Sequence, residues 1–238
     1  MDHLFDDKPR ERAPIGIRSG TVMTVTGPVA IADMGVTLMH EHILIDGAKS
    51  WKCPCHPDEK KIAEQPVSME IIGELRMNPY MNRDNVSLDD SDLALSELAK
   101  YRALGGHTLV DATNIGIGRD PVKLARIARA SGLRIVMGTG FYLQHTHPDW
   151  LKAMDVDDVT EFLVNDVGGG STQPEIMAGI IGEVGVSKDF TDEERKSLRA
   201  SAPAGRRTGV PRALKQARGV RRAQDVRAGG EAEGAALR

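Results

Sequence analysis

Strand and helix patterns alternate through the middle of this chain, and that alternation constrains the fold more than any other feature. Residues 91–104 place Leu93, Leu95, Leu98, Tyr101 and Leu104 at mostly helical spacing and stop at Gly105-Gly106. Residues 107–113, with Thr108-Leu109-Val110, read as a short apolar strand. Asp120-Pro121 then opens a helix with a capping side chain and a proline in the first turn, and Gly132 ends it. Residues 134–142, with Ile135-Val136-Met137, repeat the strand pattern and lead to a helix over residues 149–165. Residues 176–186 form another strand, and Thr191-Asp192-Glu193-Glu194 is a capping box that opens another helix. With a first strand near residue 40, these make four consecutive strand-helix units. Continuous apolar strands in that order indicate a parallel sheet covered on both faces, either doubly wound or a barrel. Gly116-Ile117-Gly118 lacks the third glycine of a dinucleotide loop, so a Rossmann reading fails.

Upstream, residues 21–31 contain two β-rich runs split by Gly27-Pro28, which predicts a short hairpin. The next run, Thr37-Leu38-Met39-His40-Glu41-His42-Ile43-Leu44, reads as a strand. Side chains two apart share one face of a strand, so His40 and His42 converge while Glu41 faces away. Two converging imidazoles suggest a metal, although such pairs also occur on exposed strands. The apolar flanks Val36, Leu38, Ile43 and Leu44 and the polar loop at Asp46-Gly47 place the pair near the end of a buried strand, where barrel enzymes keep their chemistry. Residues 47–86 predict a long loop with small helical pieces.

Composition narrows the function classes. The chain has 238 residues, 40% hydrophobic and 27% charged, which is ordinary globular composition. No apolar run approaches the roughly 18 residues that span a bilayer, and the first 12 residues are charged rather than leader-like, so the expectation is a cytoplasmic protein with no membrane partner. Cys53 and Cys55 are too close for an easy disulfide, and Cys53-Pro54-Cys55-His56 lacks the distant second ligand pair of a structural zinc site. The net charge of −3 divides unevenly: residues 212–238 carry seven Lys/Arg against three Asp/Glu, net +4, which leaves −7 for residues 1–211. An acidic body argues against nucleic acid as its partner; the basic tail is either an electrostatic arm or an accident.

Several motifs, in order, resemble one family. They are the run from Val22 through Pro28 to His40-Glu41-His42, Val110-Asp111-Ala112-Thr113, Gly116-Ile117-Gly118-Arg119-Asp120-Pro121, Gly138-Thr139-Gly140-Phe141-Tyr142, and Gly179-Ile180-Ile181-Gly182-Glu183-Val184-Gly185. Together they look like the phosphotriesterase-related family over residues 18–211. The resemblance implies an amidohydrolase-type TIM barrel with two metals, usually zinc, at the C-terminal mouth of its strands. It implies that His40 and His42 hold the more buried metal and that Glu183 stands where many members carry a bridging carbamylated lysine, as in a glutamate-bridged branch. A carboxylate offers two oxygens to two cations, so the substitution is chemically sound. From the residues alone, Glu183 is equally an ordinary carboxylate at a strand end. Tyr142 matches a position from which related lactone-hydrolysing members present a phenol; otherwise it is a rim aromatic. Arg119 and Asp120 match a family motif, but a helix cap and a surface ion pair is the preferred account. His145 and His147, in the loop after the third strand, are expected to be solvated rather than liganding.

The implied chemistry is metal-assisted hydrolysis of a phosphotriester, lactone, ester or amide, by hydroxide formed on the metals. The fourth-strand glutamate tells against phosphotriesters specifically. Beyond Pro211 the resemblance stops. Where the family continues with an apolar strand ending in a histidine, this chain turns Ala-, Arg- and Gly-rich, and no histidine follows His147. The expectation is therefore residues 1–17 as an extension, residues 18–211 as an incomplete (β/α)8 barrel of four strand-helix units with an N-terminal hairpin, and residues 212–238 as a poorly packed tail produced by a frame change. Such a chain keeps ligands for at most one zinc and is either weakly active or a non-catalytic metal-binding or interaction fragment. Its open sheet edge invites self-association.

Overall fold

A computed structural model describes residues 20–54, 56–169 and 175–216. β1 (Thr21–Thr24) and β2 (Gly27–Ala30) pair antiparallel in a hairpin, with the turn at Val25-Thr26 and Gly27-Pro28 already in the second strand rather than splitting the two. β3 (Val36–Glu41) then enters the main sheet. β4 (Ile45–Asp46), α1 (Pro57–Glu64), α2 (Ile72–Met77) and β5 (Ser87–Leu88) make up the long connection. It folds on a small core of its own, with Ile71, Leu75 and Met81 against Ile62, and β4 pairing with β5 closes its two ends.

Strand and helix alternate from there: α3 (Ser91–Ala103), β6 (Gly106–Asp111), α4 (Pro121–Ser131), β7 (Arg134–Thr139), α5 (Val156–Gly168), β8 (Ile180–Val186), α6 (Asp192–Thr208) and β9 (Arg212–Gln216). Caps explain the helix starts. Asp90 accepts from two backbone N–H groups of α3, Asp120 caps α4 ahead of Pro121, and Asp155 and Thr191 each complete a capping box. Each such cap stabilises its helix by about 1 kcal/mol. Residues 149–165 are not one helix: Asp149–Ala153 is a 3-10 turn, and the Asp155 box restarts the chain as α5.

The main sheet is parallel throughout, in the order β3-β6-β7-β8-β9. Each strand is added beside the last, with no reversal of order. Right-handed crossovers of that kind keep the helices on one side, so the sheet curls as a half-barrel and the doubly wound alternative is excluded. Alternation along the strands sorts the core. Leu109, Ile135 and Ile181 belong to the large cluster under the helices, with Phe141, Leu124, Leu151 and Leu163. Their neighbours Val110, Val136 and Ile180 face the other way, onto Val22 and Met34. The hairpin thus plugs the N-terminal end of the inner face, held by the Val25 N–H to the Ile135 carbonyl at 2.9 Å.

Two expectations need correction. The sheet does not stop at four strands, because Arg212–Gln216 forms a fifth, parallel to β8. Backbone groups at a sheet edge accept any extended segment, and Ile181 N–H donates to the Pro211 carbonyl to start the pairing. Residues 217–238, the rest of the expected tail, lie outside the described residues, as does the extension at residues 1–17. The first strand is also less buried than expected, since β3 is an edge: Val36 is 60% and Met39 67% exposed. Exposed apolar side chains of the sheet gather on its two edges, while every residue of β8 is buried.

Candidate metal centre

His40 lies on β3, His42 immediately follows its end, and Glu183 lies at the centre of β8. The sheet's curl brings them together. His40 Nε2 is 3.1 Å from Glu183 Oε2, and His42 Nε2 is 3.7 Å from Glu183 Oε1. One donor atom from each residue lies within 4.8 Å of the others. Glu183 is 3% exposed, and the imidazoles are 36% and 27% exposed, so the carboxylate forms the floor and the rings form a wall open to solvent.

The protonation states suit a cation. Burial pushes His42 down to about 4, reinforced by the charges of His40 and Lys215. Burial also lowers His40, with Lys215 adding to the effect and Glu41 opposing it. Both shifts favour the neutral form of the ring, which offers a lone pair to a cation. Burial pushes the Glu183 carboxyl up to about 7, against an opposing pull from Lys215. Glu183 Oε2 is buried without a hydrogen bond, which is the condition a bound cation relieves. Two imidazoles and a carboxylate are donors acceptable to zinc and similar divalent ions. The residues present therefore fit a metal.

The end of β6 and the residues after it hold this group together without entering it. Glu41 carbonyl accepts from Ala112 N–H at 2.9 Å, and Ala112 carbonyl accepts from Glu183 N–H at 3.3 Å. Asp111, wholly buried, accepts from Ile43 N–H through one oxygen and Thr113 N–H through the other, each at 2.9 Å. Asn114 donates its side-chain amide to the Glu183 carbonyl at 2.7 Å. Thr113 Oγ1 lies 2.9 Å from His42 Nδ1. Sequence reasoning quoted Val110-Asp111-Ala112-Thr113 as part of the family resemblance but gave these residues no role.

The remaining candidates separate. Tyr142 follows β7 half-buried, and burial and then the charge of Glu183 push its phenol up to about 12. The backbone of Tyr142 runs so close to β8 that a Cβ at Gly185 would meet its carbonyl carbon at 2.4 Å, which requires glycine there. Asp120 caps α4 as expected, but the Arg119 pair is not at the surface: Arg119 and Asp166 are each 4% exposed and joined through both guanidinium nitrogens. His145 is exposed and hydrogen-bonds Ser50 Oγ at 2.9 Å, whereas His147 is buried, with Nε2 3.0 Å from the Tyr142 carbonyl. Cys53 is exposed, and Cys55 lies outside the described residues. Among the described residues, the single group with metal-ligand geometry is His40, His42 and Glu183.

A curled parallel sheet that gathers two imidazoles and a buried carboxylate has the layout on which barrel enzymes build their sites. The phosphotriesterase family model matches residues 20–238, and the chain belongs to that family. The match therefore runs past residue 211, where the resemblance was expected to stop. Over 194 residues the chain is 37% identical to the N-acetyltaurine hydrolase of Homo sapiens, covering 81% of this chain and 55% of that protein. A resiniferatoxin-binding protein from Rhodobacter sphaeroides superposes with a TM-score of 0.88 at 44% identity, over 94% of this chain and 63% of that one. A doubly substituted mutant of organophosphorus hydrolase from Deinococcus radiodurans gives 0.61 at 30% identity, over 83% and 53%. The chain thus spans about half the length of the curated relatives it matches. Among the described residues, no helix is long and apolar enough to cross a membrane.

Proposed function

We propose that the chain is a zinc-dependent hydrolase of this family, acting on a carboxyl derivative such as an amide, lactone or ester. The observation that carries the proposal is the convergence of His40, His42 and Glu183 within 4.8 Å at the open end of the sheet. Zinc bound there supplies Lewis acidity and lowers the pKa of a coordinated water toward about 7. The chain's own residues do the rest. His40 and His42 would hold the ion through imidazole lone pairs, and the buried carboxylate of Glu183 would complete the donor set. Tyr142, protonated at neutral pH, serves as a hydrogen-bond donor to a substrate oxygen rather than as a base. The name N-acetyltaurine hydrolase, carried by curated relatives at 36–37% identity, supports an amide substrate, and a glutamate in the fourth-strand position tells against a phosphotriester. A single zinc per chain is proposed because no further three-donor group occurs among the described residues. A cytoplasmic setting fits the paired thiols of Cys53 and Cys55.

A second reading rests on the sheet edges, where Val36, Met39 and Leu214 are exposed. On that reading the chain is a metal-binding fragment that self-associates through β3 and β9. Hydrolysis of N-acetyl amino-acid amides, lactones and phosphotriesters by the zinc-loaded protein separates the two. The enzyme reading expects turnover of a carboxyl substrate that disappears in His40→Ala and Glu183→Gln; turnover unchanged in both variants overturns it.

A further inference from the structure

We infer that Thr113 is a positioning residue that fixes the tautomer of His42, directing the ring's Nε2 lone pair toward the cation. The inference rests on the proposed metal role of His42 and goes beyond it, because Thr113 belongs to a different strand segment and is not itself a ligand.

Proton accounting among three atoms carries the argument. Thr113 Oγ1 donates to the Leu44 carbonyl at 3.0 Å and lies 2.9 Å from His42 Nδ1. A hydroxyl has one proton, and a carbonyl can only accept. The hydroxyl's other neighbours, the Leu44 carbonyl and the Asp111 carboxylate, can only accept its single proton, so Oγ1 accepts from His42 and Nδ1 carries the ring's proton. The neutral ring then has its lone pair on Nε2, the nitrogen that faces Glu183.

The opposite arrangement makes fewer hydrogen bonds. If Thr113 donated to His42 Nδ1, the carbonyl of buried Leu44 would lose its side-chain donor, and the proton on Nε2 would face Glu183 Oε1 at 3.7 Å, beyond hydrogen-bonding range. The first arrangement satisfies all three groups. Thr113 is itself held from both sides: its N–H donates to Asp111 Oδ1 at 2.9 Å, and Asp111 Oδ2 accepts from Ile43 N–H, next to His42. The hydroxyl and the imidazole are therefore fixed to one frame. A ligating histidine whose other ring nitrogen is held in this way keeps its ring orientation and gains basicity, an effect typically worth about 10–100-fold in metal affinity.

The test reads the tautomer directly. Long-range proton–nitrogen correlation of metal-free protein with 15N-labelled histidine, at neutral pH, is expected to show His42 protonated on Nδ1. Thr113→Val should lose that preference and bind zinc about 10–100-fold more weakly in a chelator competition, and Thr113→Ser should restore both. His42 protonated on Nε2 in the unmodified protein overturns the inference, as does a valine variant with unchanged tautomer and affinity. The unmodified protein decides the question even if the valine variant does not fold. Nδ1 protonation in a protein that takes up no zinc supports the tautomer assignment and overturns the metal reading instead.

Discussion

Asn114, in the loop that follows β6, and Glu183, at the centre of β8, meet across the intervening strand β7: the side-chain amide of one donates to the backbone carbonyl of the other at 2.7 Å in a fully buried setting. That bond holds the peptide from which the Glu183 carboxylate projects. Asn114→Ala leaves a buried carbonyl without its donor, a loss of about 1–3 kcal/mol. Urea denaturation of the metal-free variant should show it, and an unchanged midpoint would count against this role for the amide.

Asp111 gives the fold a pH dependence of definite sign. Burial pushes its carboxyl up from 3.8 to about 6, while the N–H groups of Ile43 and Thr113 and the Thr113 side chain pull the other way. The folded state therefore binds the proton more tightly than the unfolded chain. Its stabilising contribution is complete below about pH 4 and is lost as pH rises through about 6, on the order of 2–3 kcal/mol. Stability measured at pH 4.5 and 7.5 should change less in Asp111→Asn than in the parent protein. An equal change in both would assign the pH dependence to other groups.

Arg119 and Asp166 test whether a family motif residue acts structurally. Removing one partner strands a buried charge, so Arg119→Met should lose about 3–5 kcal/mol, and adding Asp166→Leu should recover a good part of it. Zinc affinity should stay unchanged wherever the variants fold. A drop in affinity without a drop in stability would move Arg119 into the functional site.

The proposed self-association depends on apolar edges. Val36→Lys with Leu214→Lys places a charge on each edge of the sheet, a feature that discourages strand pairing between copies. Light scattering should show a smaller particle than the parent protein at the same concentration. The same mass for both would dismiss the edges as the contact.

What the sequence made legible was local or periodic. The capping box at Thr191 and Glu194, the Asp120-Pro121 helix start and the apolar runs of β6, β7 and β8 all depend on residues a few positions apart, and the structure forms each of them. His40 and His42 were paired by strand periodicity, although the strand is irregular between Leu38 and Glu41 and ends before His42, and Glu183 was joined to them by the order of family motifs. Pairings across long stretches of chain were not legible. Nothing local links Arg119 to Asp166, 47 residues away, or Thr113 to His42, 71 residues away; the first contact joins the loop before α4 to helix α5, and the second joins the segments that follow the paired strands β6 and β3. Strand β9 was missed because Arg212-Ala213-Leu214-Lys215-Gln216 has no apolar run to announce it, and its pairing is carried by backbone groups at the edge of β8.

X-ray absorption at the zinc edge of the loaded protein tests the central claim most directly, because it identifies the ligands rather than inferring them from activity. The expected shell has two imidazole nitrogens and oxygen neighbours at about 2.0–2.2 Å, with one imidazole lost in His40→Ala. Sulfur scattering at about 2.3 Å would place the metal on the cysteines instead and contradict a centre built from His40, His42 and Glu183.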